Sequence, residues 1–252
     1  MKIISKSQRN IFRKGIERIY MLLKEWENLP ESLRCDEVRP YYDILKKKQA
    51  SLIIKRIFDL VVASMLLILF AIPMLVIAVM IKLDSPGPVF YRQERVTQYG
   101  RIFRIHKFRT MVADADKIGT VVTVGNDSRI TRVGAKIRDY RIDELPQLID
   151  VLVGDMSFVG TRPEVVKYVR KYTKEMRATL LLPAGITSEA SIRYKDEANL
   201  LDGADDIDRV YVEQVLPGKM KGNLQSVKKF SFAGEMATMF RTVFAVLGKD
   251  YS

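Results

Sequence analysis

From Leu60 to Ile81 the chain runs 22 residues without a charged side chain, with Pro73 inside the run and basic sequence on both sides. As a straight helix at 1.5 Å per residue the run would be roughly 33 Å long, enough to cross a hydrocarbon core of about 30 Å. The flanks argue against a simple crossing. Lys46, Lys47, Lys48, Lys55 and Arg56 precede the run, and Lys82, Arg92, Arg95, Arg101, Arg104, Lys107 and Arg109 follow it. Positive residues beside a span favour the cytoplasmic side. If both flanks stay there, the segment enters and leaves by one face, and Pro73 supplies a break by removing an N–H and crowding the preceding turn. The halves, Leu60 to Ile72 and Met74 to Ile81, are each too short to span. The expectation is a re-entrant helical hairpin dipping into one leaflet; an ordinary single-pass helix with a proline kink is the alternative.

No other apolar run reaches spanning length, and 252 residues allow one sizeable domain plus appendages. A net charge of +12 calls for an anionic partner: lipid, phosphorylated substrate or nucleic acid. Cys35 and His106 are each the sole residue of their type, so a disulfide, a cysteine zinc site, a Ser-His-Asp triad and multi-histidine metal chemistry are excluded within one chain. Catalysis then rests on carboxylates, Lys and Arg. The charged first 50 residues and a late, long apolar run do not fit a cleavable signal peptide.

The pattern divides into three parts: a basic extension over 1–50, the membrane helix over 51–82, and a domain over 83–252. In the extension Ile11, Ile16, Ile19, Tyr20 and Leu23 stand at roughly helical spacing before Pro30, which reads as a surface helix packed on the domain or lying on the membrane. After the turn-forming Ser85-Pro86-Gly87-Pro88, Val89 to Tyr91 and Ile102 to Phe108 predict a small β element. Helices dominate beyond it. Ile130, Val133 and Ile137 share one face, Leu145, Leu148, Ile149 and Leu152 another, and Val165 to Leu182 predicts a helix stopped by Pro183. The fold class is therefore α+β, mostly helical. Near the C-terminus Phe232, Met236, Met239, Phe240, Val243 and Phe244 form a broad apolar face beginning beside Lys228 and Lys229, which reads as core or as an interfacial amphipathic helix.

Chemistry concentrates between Lys107 and Glu164. Asp143 and Glu144 adjoin where a helix is predicted to begin, a setting in which Asp caps the helix and its dipole favours the ionised form. Arg138 and Arg141 lie just upstream, and Arg162 follows in a Gly160-Thr-Arg-Pro-Glu turn. A carboxylate beside guanidinium groups suits a phosphate or metal-phosphate site, and carboxylates attack phosphorus in aspartyl-phosphate chemistry. The cluster equally suits a solvated charged face.

Five segments in order carry a resemblance: Lys55-Arg-Ile-Phe-Asp; Pro88-Val-Phe-Tyr-Arg-Gln-Glu-Arg; Lys107-Phe-Arg-Thr-Met; Asp143-Glu-Leu-Pro-Gln-Leu; and Gly154-Asp-Met-Ser-Phe-Val-Gly-Thr-Arg-Pro-Glu. From about Lys55 to its C-terminus the chain resembles the bacterial sugar transferases known as monotopic polyprenyl-phosphate phosphoglycosyl transferases. The resemblance implies transfer of a sugar-1-phosphate from a nucleotide diphosphate sugar, usually a UDP-sugar, to polyprenyl (undecaprenyl) phosphate. It implies Asp143 as nucleophile, a covalent sugar-phosphate on it, Glu144 at a Mg²⁺ site, and Lys107, Arg138 and Arg162 as phosphate ligands. It also implies the cytoplasmic face of the bacterial inner membrane and the start of surface glycan assembly; the net charge of +12 beside the apolar run suits anionic membrane lipid, and a homo-oligomer is compatible with the sequence.

The chain departs from the family pattern at four places. Ile72 stands where Ser commonly precedes the helix-breaking proline, Thr161 where Pro precedes the turn arginine, and Asp150 where Asn is expected. Leu182-Pro-Ala-Gly-Ile-Thr-Ser replaces Arg-Pro-Gly-Ile-Thr-Gly, which touches the expected nucleotide contacts. Two other classes compete: a non-catalytic single-pass scaffold with a basic cytoplasmic domain, and a membrane-tethered nucleic-acid binder. The second lacks a recognisable nucleic-acid module, and no nucleic-acid partner is expected.

Overall fold

The computed structural model describes residues 23–115, 127–194 and 206–246. Two 3₁₀ turns, Trp26–Asn28 and Glu31–Leu33, lead into α1 (Arg39–Lys46) and α2 (Gln49–Asp84). The hairpin β1 (Phe90–Val96) and β2 (Ile102–Phe108) follows, then α3 (Arg132–Asp139), a 3₁₀ turn Ile142–Glu144, α4 (Gln147–Val153) and β3 (Met156–Val159). After α5 (Val166–Val169) and a 3₁₀ turn Met176–Leu181 come β4 (Ala184–Thr187), α6 (Glu189–Arg193), α7 (Ile207–Val210), a π turn Tyr211–Val215, α8 (Leu216–Lys228) and α9 (Phe232–Val246). The described chain is mostly helical around two small sheets, in keeping with an α+β class.

The sheets are separate. β1 and β2 pair antiparallel from Phe90↔Phe108 to Val96↔Ile102, a longer hairpin than the sequence suggests because it extends through the charged Arg92 to Arg95. β3 and β4 form a parallel pair that the sequence did not announce, each strand being four residues long. There the chains touch: a Cβ on Gly185 would stand 2.2 Å from Gly160 N, so neither position has room for a side chain.

The extension packs on the domain. Leu33, Val38, Tyr41, Tyr42 and Leu45 are buried with Leu52, Ala178, Leu181, Val227 and Phe230, and the Tyr41 hydroxyl donates to Glu175 Oε1 at 2.5 Å. The helical spacing from Ile11 to Tyr20 lies outside the described residues. The helix expected over Val165 to Leu182 is instead split in two. Thr173 Oγ1 accepts from Met176 N at 3.3 Å, a side-chain bond that starts a new turn in competition with helix continuation.

α2 is one continuous helix with Pro73 inside it, rather than two separate helices. Its first arm is anchored by polar groups: Arg56 donates to Val151 O (2.6 Å) and Leu152 O (2.9 Å), satisfying carbonyls at the C-terminal end of α4. Lys55 donates to Val159 O (2.8 Å) and pairs with Glu235, and Asp59 accepts from Phe158 N at 3.3 Å. At the far end Asp84 Oδ2 accepts from Val133 N at 2.8 Å. Arg109 donates to Pro86 O (2.8 Å), Ser85 O (2.7 Å) and Ser85 Oγ (2.9 Å).

Both arms thus rest on the same body. Ala63 is buried with Ile105, Leu148, Val151 and Phe158, and Ile81 with Phe108 and Ile137. Ala63 and Ile81 would be about 27 Å apart along a straight helix, yet Ile105 and Phe108 are about 10 Å apart along β2. Between the arms Met65, Ile68, Leu69, Ile72 and Leu75 are exposed. On α9 the apolar face is divided: Met239 packs against the core, while Phe240, Val243 and Phe244 face outward.

Candidate active site

The turn carrying Asp143 is built by backbone geometry. Arg141 adopts the left-handed conformation (φ 53°), the chain folds into the 3₁₀ turn Ile142–Glu144, and α4 starts only after Pro146. Asp143 is therefore not the helix cap that the sequence suggests, and no side-chain capping bond forms at either helix start. With Pro146 as the residue before α4, capping falls to a ring without a side-chain acceptor. The expected lowering of its pKa by the helix start is also reversed. Burial pushes the Asp143 carboxyl up; Lys107 acts against that, and the neighbouring Glu144 adds to it.

Glu144 is the hub. Its Oε1 accepts from Lys107 Nζ at 2.8 Å and from Arg162 Nη2, while its Oε2 receives only a 3.5 Å contact from Arg162 Nη1. Burial opposes ionisation, but Arg162 and then Lys107 outweigh it and hold the Glu144 carboxyl well below the usual carboxylate range. Glu144 in turn raises Arg162, and burial lowers Lys107 against the pull of Glu144.

A cleft of about 600 Å³ opens over this turn. It is lined by Asp143, Lys107, Arg138, Arg92, Arg95 and Arg129 among others. The structure so brings Asp143, Lys107 and Arg138 together in one cavity. It places Arg162 behind Glu144, where it also donates to Ile186 O at 3.3 Å; Arg162 is not among the cleft-lining residues. Arg141 is exposed and lies outside the lining. Arg92 and Arg95 are cleft cations that the sequence offered only as general basicity, because the fold of the hairpin decides which of its arginines line the cleft; Arg129, which precedes α3 and pairs with Asp127, lines it as well. A second cavity, of about 310 Å³, lies between α6, α8 and α9, and Asp143 is not part of it.

The carboxylates fit Mg²⁺ only together with a bound phosphate. Among the described residues no group of three His, Cys, Asp or Glu could hold a metal, but Mg²⁺ is commonly held by one or two carboxylates plus substrate phosphates. Asp143 would supply that part from the cleft; Glu144, expected at the metal, is not among the cleft-lining residues, and its lightly used Oε2 could join only by turning toward Asp143. Arg162→Lys tests the other side of the pair. Lysine cannot reach both Glu144 oxygens and Ile186 O as the planar fork does, so kcat/KM should fall by about tenfold or more, the equivalent of one charge-assisted bond. An unchanged kcat/KM would show that the fork is not needed.

Comparison with known proteins places this site in context. A family model described as bacterial sugar transferase matches residues 50–249. The UDP-N-acetylgalactosamine-undecaprenyl-phosphate N-acetylgalactosaminephosphotransferase of Aeromonas hydrophila is 37% identical over 197 residues, covering 77% of this chain and 44% of that protein. A putative undecaprenyl-phosphate N-acetylgalactosaminyl 1-phosphate transferase of Bacillus subtilis is 42% identical over 158 residues, 62% of this chain and 86% of that protein. The UDP-glucose:undecaprenyl-phosphate glucose-1-phosphate transferase of Escherichia coli K12 is 34% identical over 219 residues, 85% of this chain and 44% of that protein. The chain thus spans under half the length of the first and third and most of the second.

Proposed function

The chain belongs to the bacterial sugar transferase family, and from that premise we propose that it is a phosphoglycosyl transferase acting on a nucleotide diphosphate sugar and polyprenyl phosphate. The observation that carries this reading is the Asp143 carboxylate, which caps no helix and faces a cleft lined by Lys107 and several arginines. An Asp143 oxygen attacks the phosphorus next to the sugar. The bond from that phosphorus to the bridging oxygen breaks, and its electron pair leaves with the nucleoside monophosphate. The sugar-phosphate stays on Asp143 as an acyl phosphate. A phosphate oxygen of the polyprenyl phosphate then attacks the same phosphorus, the Asp143–phosphorus bond breaks, and the carboxylate is regenerated.

Lys107 and Arg138 bind and orient the charged phosphate oxygens, which spread charge in the transition state. Glu144 keeps Lys107 and Arg162 charged and in place. Mg²⁺, when bound, offsets the charge of the diphosphate. A UDP-sugar donor agrees with the names of the Aeromonas and Escherichia relatives, and the product would begin surface glycan assembly. The experiment is release of nucleoside monophosphate from a panel of nucleotide sugars, with and without polyprenyl phosphate; release before lipid is added supports two steps, and no release from any donor removes the reading.

The membrane helix gives the lipid its place. Two anchored arms on one body, Pro73 between them and an exposed apolar middle support a re-entrant hairpin, with residues 83–252 as the cytoplasmic domain and residues 1–50 as an extension. Phe240, Val243 and Phe244 on α9 add an apolar surface suited to the bilayer interface. In a Cys35→Ala background, Lys47→Cys and Glu94→Cys should both resist a membrane-impermeant maleimide in intact cells of the inner membrane and react after lysis. Labelling of either from outside sinks the hairpin. Pro73→Ala should move part of the population toward a spanning topology by returning the N–H and relieving the ring's clash with the preceding turn, which lets the helix straighten.

A further inference from the structure

His106, the chain's sole histidine, sits in a chain of four polar contacts. Asp150 on α4 accepts twice from it: the His106 main-chain N–H donates to Oδ2 at 2.8 Å, and the ring Nδ1 lies 2.7 Å from Oδ1. On the other side of the ring, Nε2 lies 2.5 Å from Arg92 Nη1, and Arg92 Nη2 donates to Arg104 O at 2.9 Å. Arg92 is the cross-strand partner of His106, is exposed, and lines the cleft that holds Asp143. Asp150 is 1% exposed.

These contacts select the hydrogen-bonding roles of the two ring nitrogens. A guanidinium only donates, so Nε2 must offer its lone pair to Arg92, and the ring proton must sit on Nδ1, where Asp150 accepts it. The contacts on its two nitrogens are thus met by one tautomer. Arg92 is held through two of its nitrogens while the residue lines the cleft, and a guanidinium has further N–H donors beyond those two bonds.

We propose that Asp150 and His106 are positioning residues that hold Arg92 as a further anion-binding group of the cleft, directed at the diphosphate of the donor. The inference rests on reading the cleft as a nucleotide-sugar site. It also gives the aspartate at position 150 a role that asparagine cannot fill. An amide has one acceptor oxygen, so with asparagine either the His106 main-chain N–H loses its partner, or the amide NH₂ donates to Nδ1. In the second case the ring proton moves to Nε2 and confronts the Arg92 N–H.

The test is a mutant cycle on UDP affinity, measured by calorimetry on the full-length protein in nanodiscs with Mg²⁺. Arg92→Gln should weaken UDP binding by about tenfold, the size of one charge-assisted hydrogen bond. Asp150→Asn should weaken it by a similar factor, and the double variant should be no weaker than Arg92→Gln alone. A purely structural role for Asp150 would instead make the two losses multiply. Wild-type affinity in Asp150→Asn, or multiplied losses in the double variant, overturns the proposal.

If Asp150→Asn loses its thermal transition, Arg92→Lys decides, because its exposed position spares the fold. Lysine cannot hold both His106 Nε2 and Arg104 O, so affinity should drop several-fold; unchanged affinity overturns the proposal. Wild-type protein that binds no UDP removes the nucleotide-sugar reading itself, and this inference with it. Binding that is intact in wild type and insensitive to position 92 removes this inference alone.

Discussion

Asp143→Asn is expected to lower turnover by on the order of 10⁴-fold or more, as loss of a covalent nucleophile does elsewhere. The substitution keeps shape and removes the attacking oxygen's charge. Intact-protein mass spectrometry of the wild type with a suitable UDP-sugar and no lipid acceptor should show an added sugar-phosphate, accompanied by nucleoside monophosphate. The variant should show neither. An active Asp143→Asn enzyme would mean that the lipid phosphate attacks the donor directly. If no donor is turned over by the wild type and Asp143 is dispensable to the cell, the non-catalytic scaffold becomes the better account.

Glu144→Gln should damage both activity and stability. Removing this carboxylate leaves Lys107 and Arg162 facing each other without their shared counter-ion. Stranding a buried partner costs about 3–5 kcal/mol, and the partial exposure of these side chains, 14% for Glu144, 21% for Lys107 and 33% for Arg162, reduces that to about 2 kcal/mol. The pH dependence follows from the direction of the shift. Because the folded-state pKa of Glu144 lies below its ordinary value of 4.5, its contribution is complete above that value and is lost as acid protonates it. Chemical denaturation at pH 7 should then show the variant less stable, with the difference shrinking as pH falls below 4.5, the ordinary value of the glutamate. Equal stability of the two proteins at pH 7 would show that Glu144 does not hold the cations.

The parts of the fold that were legible in the sequence are those written in local pattern. The long apolar helix, the strand Ile102 to Phe108 and the helical faces around Ile137 and Leu148 follow from periodicity, which survives folding because burial selects it. The parallel β3–β4 pair was not legible, since its partners are 28 residues apart and four residues long, too short for a pattern. Asp143 and Glu144 stood out as a pair, but their separate roles did not. One residue faces the cleft and the other turns to two cations, because a left-handed Arg141 and Pro146 make a 3₁₀ turn where dipole reasoning assumes a helix start. Asp150 registered only as a departure from a pattern. Its meaning needed His106, which is 44 positions away.

Arg109 holds the end of the membrane helix through Ser85 and Pro86, and it stands two residues beyond Lys107 on the same chain. On the proposed reading, the height at which the hairpin would settle and the height of Lys107, the proposed phosphate ligand, are consequently one coordinate rather than two. A thinner or thicker leaflet would raise or lower the whole cleft against the lipid phosphates without reshaping it. Enzymes of this build should therefore register leaflet thickness mainly through how well they meet the lipid acceptor, and little through how they bind the soluble donor.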